Sequence, residues 1–376
     1  MAVTTAELQA RSRYIRDTLS PLVASTGGIA LSRGTFASLL LLLTKLDDCS
    51  VDVDMLRVSR IDKALLDICS LGSRWPDALV DEAKRITEKW EIEFGKLGDI
   101  RAALWEKGGR MAGCWRGEVG EWRDMQLRTV KKKWIVDASN KEAARYYGPL
   151  NFEVGDWWIK SACAYRDGML DDAESHISIG EQGAHAIVMA RGVETEMETN
   201  SGTTRWRCTN NDVKLASNGR GVLALMGNMR TRTEVRVLRY WKLNSKLAPR
   251  AGLRFDGMYS IVAHGVKICK GITFFTFQLQ RSANQPGMEK ALTHPRSDEH
   301  DDWLDYMKYK EERKVAKRSS NSPSVLLLNA IKDMDGIYES SDIEDKENWE
   351  ALKARLPRPS GRRGLRRWKR EALSDL

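Results

Sequence analysis

Between Arg205 and Arg254 the chain sets twelve cations against two acids, Asp212 and Glu234. The cations are Arg205, Arg207, Lys214, Arg220, Arg230, Arg232, Arg236, Arg239, Lys242, Lys246, Arg250 and Arg254. Several alternate with apolar residues, so a β-strand would aim them to one side. Cations held on one face suit phosphate oxygens, because they neutralise a nucleic-acid backbone and release its counterions. A second basic run, Lys353 to Arg370, holds nine cations and no acid, as many as the formal net charge of +9. Pro357, Pro359, Ser360 and Gly361 keep that run irregular. Its residues Arg362, Arg363, Arg366, Arg367, Lys369 and Arg370 read as a nuclear import signal or a loose polyanion-binding arm, which places the protein in the nucleus. An acidic stretch precedes the internal basic one: Asp167, Asp171, Asp172, Glu174, Glu181, Glu194, Glu196 and Glu198.

Other chemistries find little support. The six cysteines, Cys49, Cys69, Cys114, Cys163, Cys208 and Cys269, contain no CxxC pair, so zinc modules of the RING type are not expected. The histidines are equally scattered, with no HExxH spacing. Neither a phosphate-binding GxxxxGK[ST] loop nor a GxSxG elbow occurs. No metal, no cofactor and no enzymatic activity are expected. The longest apolar run, Phe36 to Leu43, is far short of the roughly 20 residues that cross a bilayer, and the first twenty residues lack an apolar signal core. Neither a membrane partner nor secretion is expected.

The elements that must position the cations are of two kinds. With 376 residues and 42% hydrophobic content, two domains with tails are expected. Residues 1–94 read as a helical bundle. Ile61, Leu65 and Ile68 keep helical spacing, and Leu79, Ala83, Ile86 and Trp90 share one face of a helix that starts near Pro76 and stops at Gly95. Residues 95–147 read as a connector, with helix around Lys141 to Tyr147. From 148 to 288 the period changes to two. Glu234 to Trp241, Met258 to Val266 and Ile272 to Arg281 alternate as strands, separated by turn signals such as Asp256-Gly257. A β-barrel of this length is expected. Residues 289–376 read as a mostly disordered charged tail, with short transient helices around Trp303 to Ala316 and Trp349 to Arg355. The fold class is therefore α+β.

Four ordered motifs within Glu234 to Pro286 carry a family resemblance. They are Val235-Arg236-Val237, Ser245-Lys246-Leu247-Ala248-Pro249, Arg254-Phe255-Asp256-Gly257-Met258-Tyr259, and Phe277-Gln278-Leu279-Gln280-Arg281 followed by Gln285-Pro286. Upstream, Val154-Gly155-Asp156-Trp157-Trp158 and Gly183-Ala184-His185-Ala186-Ile187-Val188 fit an opening strand and the strand that leads to a pocket. The set resembles the SRA-YDG domain, the SET- and RING-associated module that binds modified DNA. Here Phe255, Asp256 and Gly257 stand where the family's Tyr-Asp-Gly stands. The resemblance implies an SRA-like β-barrel with flanking helices after the helical bundle. It also implies double-stranded DNA as partner, with a 5-methylcytosine, as in hemimethylated CpG, flipped into a pocket between two aromatic rings.

Carried over residue by residue, the resemblance assigns the base pocket to Val193, Glu196, Trp206, Arg207 and Thr209. Val193 replaces the first ring, Glu196 keeps the carboxylate with one methylene more, Trp206 supplies the second ring, and Arg207 replaces a hydroxyl. The DNA-backbone contacts fall to Arg220, Arg230, Arg232, Arg236, Lys246 and Arg254. Leu42 to Trp90 more faintly resembles the N-terminal helical domain of transcription elongation factor S-II, which implies docking of chromatin or transcription proteins. Three functions follow: a nuclear chromatin protein that reads methylated DNA, a transcription-linked interaction protein whose degenerate domain binds DNA nonspecifically or only contacts proteins, and a partner of a separate ubiquitin ligase in heterochromatin maintenance.

Overall fold

The computed structural model of the chain describes residues 3–70, 72–123, 126–137, 143–197, 202–209 and 220–320. The basic run with Arg362, Arg363, Arg366, Arg367, Lys369 and Arg370, and the helix expected at Trp349 to Arg355, lie outside the described residues.

The first part is the expected bundle. Its helices are α1 (Thr5–Arg13), α2 (Ser20–Thr26, after a π-turn), α3 (Arg33–Asp48), α4 (Val53–Ser59), α5 (Ile61–Cys69) and α6 (Asp77–Phe94). Side-chain caps start three of them. Thr4 accepts from the Glu7 amide at 3.2 Å, Ser32 from Thr35 at 3.1 Å and Asp52 from Met55 at 2.7 Å. Pro76 precedes α6 and Gly95 ends it at φ +80°, a conformation that favours glycine. Helices this short are marginal alone, so tertiary packing must hold them. Leu43, Leu46, Ile61, Leu65, Ile68, Leu79, Ile86 and Trp90 are buried together. Each such side chain contributes on the order of 1.5–3 kcal/mol.

The connector contains structure that the sequence reading lacks. Strands β1 (Cys114–Arg123) and β2 (Gln126–Val136) form a two-stranded sheet of their own. In place of a helix at Lys141 to Tyr147, the described part holds one 3-10 turn at Ala143–Arg145.

The second sheet has eight strands. They are β3 (Trp157–Trp158), β4 (Ile177–Gly180), β5 (Gly183–Met189), β6 (Val193–Glu196), β7 (Thr203–Thr209), β8 (Val235–Tyr240), β9 (Leu253–Cys269) and β10 (Ile272–Arg281). The order is β4-β5-β8-β9-β10-β7-β6, with β3 on β9, and only the β5–β8 pair is parallel. Three bulges interrupt the ladders and bend the sheet. Helix α7 (Ser161–Arg166) follows β3, and α8 (Arg220–Thr231) fills the crossover before β8. Helix α8 packs on β5, β9 and β4, and its Val222, Ala224 and Leu225 belong to one core with Trp206, Phe277, Val235 and Val237.

The chain after β10 is folded further than the composition predicts. Helix α9 (Met288–Leu292) leads to α10 (Ser297–Ser320), whose Ser297, Asp298, Glu299, Trp303 and Tyr306 are buried. The tail expected from residue 289 is therefore corrected for residues 289–320, and the transient helix expected around Trp303 to Ala316 is a docked one. The acids of α10 meet basic residues far away in sequence. Asp298 accepts from Arg13 at 2.7 Å, Asp302 from Arg110 at 2.8 Å and Asp305 from Arg60 at 2.9 Å. A composition rich in charge reads as solvated, but here the charges are complementary and half-buried.

Candidate nucleic-acid interface

The family motif is an interior device. Asp256 is fully buried and lies between two buried arginines. It accepts from Arg239 Nη1 at 2.7 Å, Arg254 Nε at 2.5 Å and Arg254 Nη2 at 2.9 Å. Arg239 also donates to Glu194 at 2.8 and 2.6 Å, and Glu194 accepts from Ser245 Oγ at 2.7 Å. Burial opposes ionisation of Glu194, yet the Arg239 guanidinium outweighs it and holds the carboxyl below its ordinary value. Charges this deep are tolerated only when fully paired, which is the case here. Phe255 is buried beside them. Gly257 takes φ +110°, and a side chain there would overlap the Gln285 carboxamide. That carboxamide binds both the amide and the carbonyl of Met258 at 2.8 Å, which explains the Gln285-Pro286 motif.

Two predicted DNA-backbone residues are thereby corrected. Arg254 is spent on Asp256 and on the carbonyls of Leu247 and His294 at 2.6 and 3.1 Å. Arg236 is fully buried and donates to the carbonyls of Ala144, Tyr146 and Gly148 at 2.6, 2.6 and 2.9 Å. Burial lowers Arg236 to about 10, with partial relief from Asp171. Neither guanidinium can reach a phosphate in this arrangement. The alternation that made them look like surface cations fails because this stretch is covered on both faces. Arg220, Arg230 and Arg232 are exposed on or just after α8, and Lys246 is exposed between β8 and β9.

The predicted base pocket is also rearranged. Strand β6 pairs with β7 so that Val193 faces Arg207, Glu194 faces Trp206 and Glu196 faces Thr204. Directly opposed residues share a face, and successive residues alternate. Val193 and Trp206 therefore point to opposite sides of the sheet and cannot sandwich a base. Trp206 is 0% exposed, packs against Phe277 at 6.1 Å between ring centroids, and donates its indole N–H to the Arg191 carbonyl at 2.9 Å. It is a core residue. Glu196 is exposed at the strand end, and Thr209 is half-buried.

The same registers define a different surface. Across β7, β10 and β9, Arg205 lies beside Gln278 and Ala263, Arg207 beside Thr276 and Gly265, and Thr209 beside Phe274 and Lys267. Val193 and Thr195 of β6 extend the rows of Arg207 and Arg205. Helix α8 packs on the opposite face, with Trp206 and Phe277. Arg205, Arg207, Gly265 and Lys267 are exposed, while Phe274, Thr276 and Gln278 are half-buried. The two guanidiniums emerge from one strand about 7 Å apart, next to small polar residues and one aromatic ring. Such a face can hold phosphates through Arg and Lys and bases or sugars through Phe274. The sequence reading placed Arg205 in the basic stretch but left it and Lys267 out of the site. The signal was present as Arg205-Trp206-Arg207, a cation pair flanking a core residue.

Comparison with known proteins places this geometry. Residues 146–285 match the SAD/SRA domain family. The chain thus carries an SRA-YDG domain, preceded by a helical bundle and followed by a docked helix. A curated "UHRF1-like protein" of Cryptococcus neoformans var. grubii serotype A is 28% identical over 138 residues, which cover 32% of this chain and 40% of that protein. The chain therefore matches less than half of that relative's length. Among solved structures, Arabidopsis thaliana SUVH6 in complex with SAM is similar at 24% identity over 39% of this chain and 29% of that one, with a TM-score of 0.32. The SUVH5 SRA in complex with hemimethylated CG DNA is similar at 21% identity over 38% of this chain and 97% of that one, with a TM-score of 0.31.

Proposed function

We propose that this protein is a nuclear, chromatin-associated binding protein that contacts double-stranded DNA through the outer face of β6, β7, β10 and β9. The observation that carries this reading is the grid of Arg205, Arg207 and Lys267 around Thr276 and Phe274, on a domain of the SAD/SRA family. Binding rather than catalysis is its activity, since the sequence offers no catalytic constellation. Recognition of 5-methylcytosine, as in hemimethylated CpG, is the finer reading and is supported by the family match. On this chain it would have to use groups other than a Val193–Trp206 sandwich, and Glu196, opposite Thr204, lies on the side of Trp206 rather than on that of Arg205 and Arg207. The bundle of residues 1–94 serves as a docking module for chromatin or transcription proteins, in keeping with its likeness to the elongation-factor domain. The tail cations from Arg362 to Arg370 direct nuclear import. Action beside a separate ubiquitin ligase is the alternative setting, supported by the UHRF1-like relative.

The test is binding of the full chain to matched duplexes with unmodified, hemimethylated and fully methylated CpG, across a salt series. Replacing Arg205 and Arg207 by Gln should weaken all three and reduce the slope of log affinity against log salt by about 0.9 per lost phosphate contact. Equal affinity for the three duplexes would remove methyl recognition and leave phosphate binding. No measurable binding to any duplex would remove the DNA reading.

A further inference from the structure

Lys160, between β3 and α7, reaches into a cluster of aromatic rings. Its ammonium lies 5.2 Å from the ring centroids of Trp303 and Tyr306 on α10, and 5.5 Å from that of Tyr240 at the end of β8. It also hydrogen-bonds the Tyr240 hydroxyl at 3.0 Å. Trp241 stacks edge-on against Trp303 at 5.4 Å and closes the group. Three ring faces around one ammonium make an aromatic cage, the arrangement that selects alkylammonium groups over neutral ones. Trp303 and Tyr306 are 6% exposed, so the cage is largely shielded from water, where cation–π attraction is strongest.

The position of the cage gives it a consequence. Helix α10 has two other sets of contacts. Its acids Asp298, Asp301, Asp302 and Asp305 hold Arg13, Arg16 and Arg60 of the bundle and Arg110 of the connector. Its aromatic residues hold Lys160 of the SRA domain. The helix is thus a strut between bundle and sheet, and the cage is one of its fastenings on the sheet side.

We propose that Lys160 is a charge-dependent latch and a modification site: its ammonium, filling the Tyr240–Trp303–Tyr306 cage, keeps α10 docked. N-methylation would preserve the latch, since it keeps the charge and adds methyl groups that suit the rings. Acylation would release it. In that step the neutral Lys160 amine attacks the carbonyl of an acyl thioester, the amide C–N bond forms, the C–S bond breaks, and a thiol leaves with the proton lost from nitrogen. The resulting amide carries no charge for the rings to attract. Separation of α10 from the sheet would then let the bundle and the SRA domain move independently.

Two measurements on the full chain test this. In hydrogen exchange, Lys160→Met should speed exchange of the amides of residues 303–313 by roughly tenfold, and Lys160→Arg, which keeps a cation, should change it less than twofold. Exchange within twofold of wild type in Lys160→Met overturns the latch. The second measurement needs no substitution in the protein observed. Reductive ¹³C-dimethylation of the wild-type lysines should give one methyl signal shifted upfield by ring currents, absent from the identically treated Lys160→Arg chain. If peptide mass analysis shows Lys160 to be dimethylated and all lysine methyl signals still cluster at the exposed position, the cage is not filled in solution and the proposal fails.

Discussion

Val193 and Trp206 sit on paired neighbouring strands yet point to opposite faces of the sheet, because Val193 is opposite Arg207 and Glu194 is opposite Trp206. One residue of register separates a ring that faces solvent from a ring that fills a core. Trp206, at 0% exposure, is on the core side. Trp206→Ala should therefore cost about 3–5 kcal/mol of stability by the large-to-small rule. Chemical denaturation would measure this. At matched folded fraction, the ratio of affinities for methylated and unmodified duplex should not change. A stable Trp206→Ala protein that loses methyl discrimination would restore the sandwich.

The buried motif gives a second prediction. Asp256 serves Arg239 and Arg254 together, so Asp256→Asn leaves two buried guanidiniums competing for Glu194 and carbonyl groups. A loss of about 3–5 kcal/mol is expected from breaking a buried pair on one side. Gly257→Ala should cost more than 1 kcal/mol, from φ +110° and from overlap with Gln285. Since Gln285 is both the obstacle and a partner of Met258, the Gly257→Ala and Gln285→Ala losses should be non-additive in a double-mutant cycle. Additive losses would show that the two groups do not meet.

Arg236 separates structural from binding arginines. Arg236→Met removes every donor from the carbonyls of Ala144, Tyr146 and Gly148 that this guanidinium supplies. Charge-assisted bonds of this kind are worth about 1.5–3 kcal/mol each, and they are not independent. A loss of roughly 3 kcal/mol is expected, with DNA affinity within twofold of wild type while the protein stays folded. Arg205→Gln should do the reverse, with stability unchanged within about 0.5 kcal/mol and affinity reduced. The prediction fails if Arg236→Met weakens DNA binding as much as Arg205→Gln does.

What the sequence disclosed follows from which forces act locally. The helix face of Leu79, Ala83, Ile86 and Trp90 and the stop at Gly95 were legible because periodicity and capping are local rules. The strands β8 and β10 and the later part of β9 were legible for the same reason, whereas Asp256-Gly257, read as a turn between strands, lies inside β9, where a bulge opposite Val237 and Leu238 uses the glycine. Arg236 and Arg254 were misplaced because alternation identifies a strand's faces but not what covers them. The covering groups come from carbonyls 90 residues upstream and from a carboxylate two positions away on the same strand. Helix α10 was misread as tail because its partners, Arg13, Arg60 and Arg110, lie about 190 to 290 residues away, beyond any sequence window.

His185 supplies a pH prediction with a fixed sign. Its ring packs on Tyr147 at 4.2 Å between centroids and is 4% exposed. Burial, with help from the Arg236 charge, lowers it from 6.5 to about 4. Below pH 6.5 the unfolded chain takes up a proton that the folded chain refuses until about pH 4. Stability is therefore full above pH 6.5 and falls as pH drops toward 4, by up to about 3 kcal/mol for this group. His300, lowered mainly by burial, acts in the same direction, so the wild-type profile alone does not isolate His185. His185→Phe keeps the ring contact and removes the titration. Denaturation midpoints from pH 7.5 to 5 should therefore fall less steeply in His185→Phe than in wild type, and parallel profiles would show that His185 does not carry the dependence.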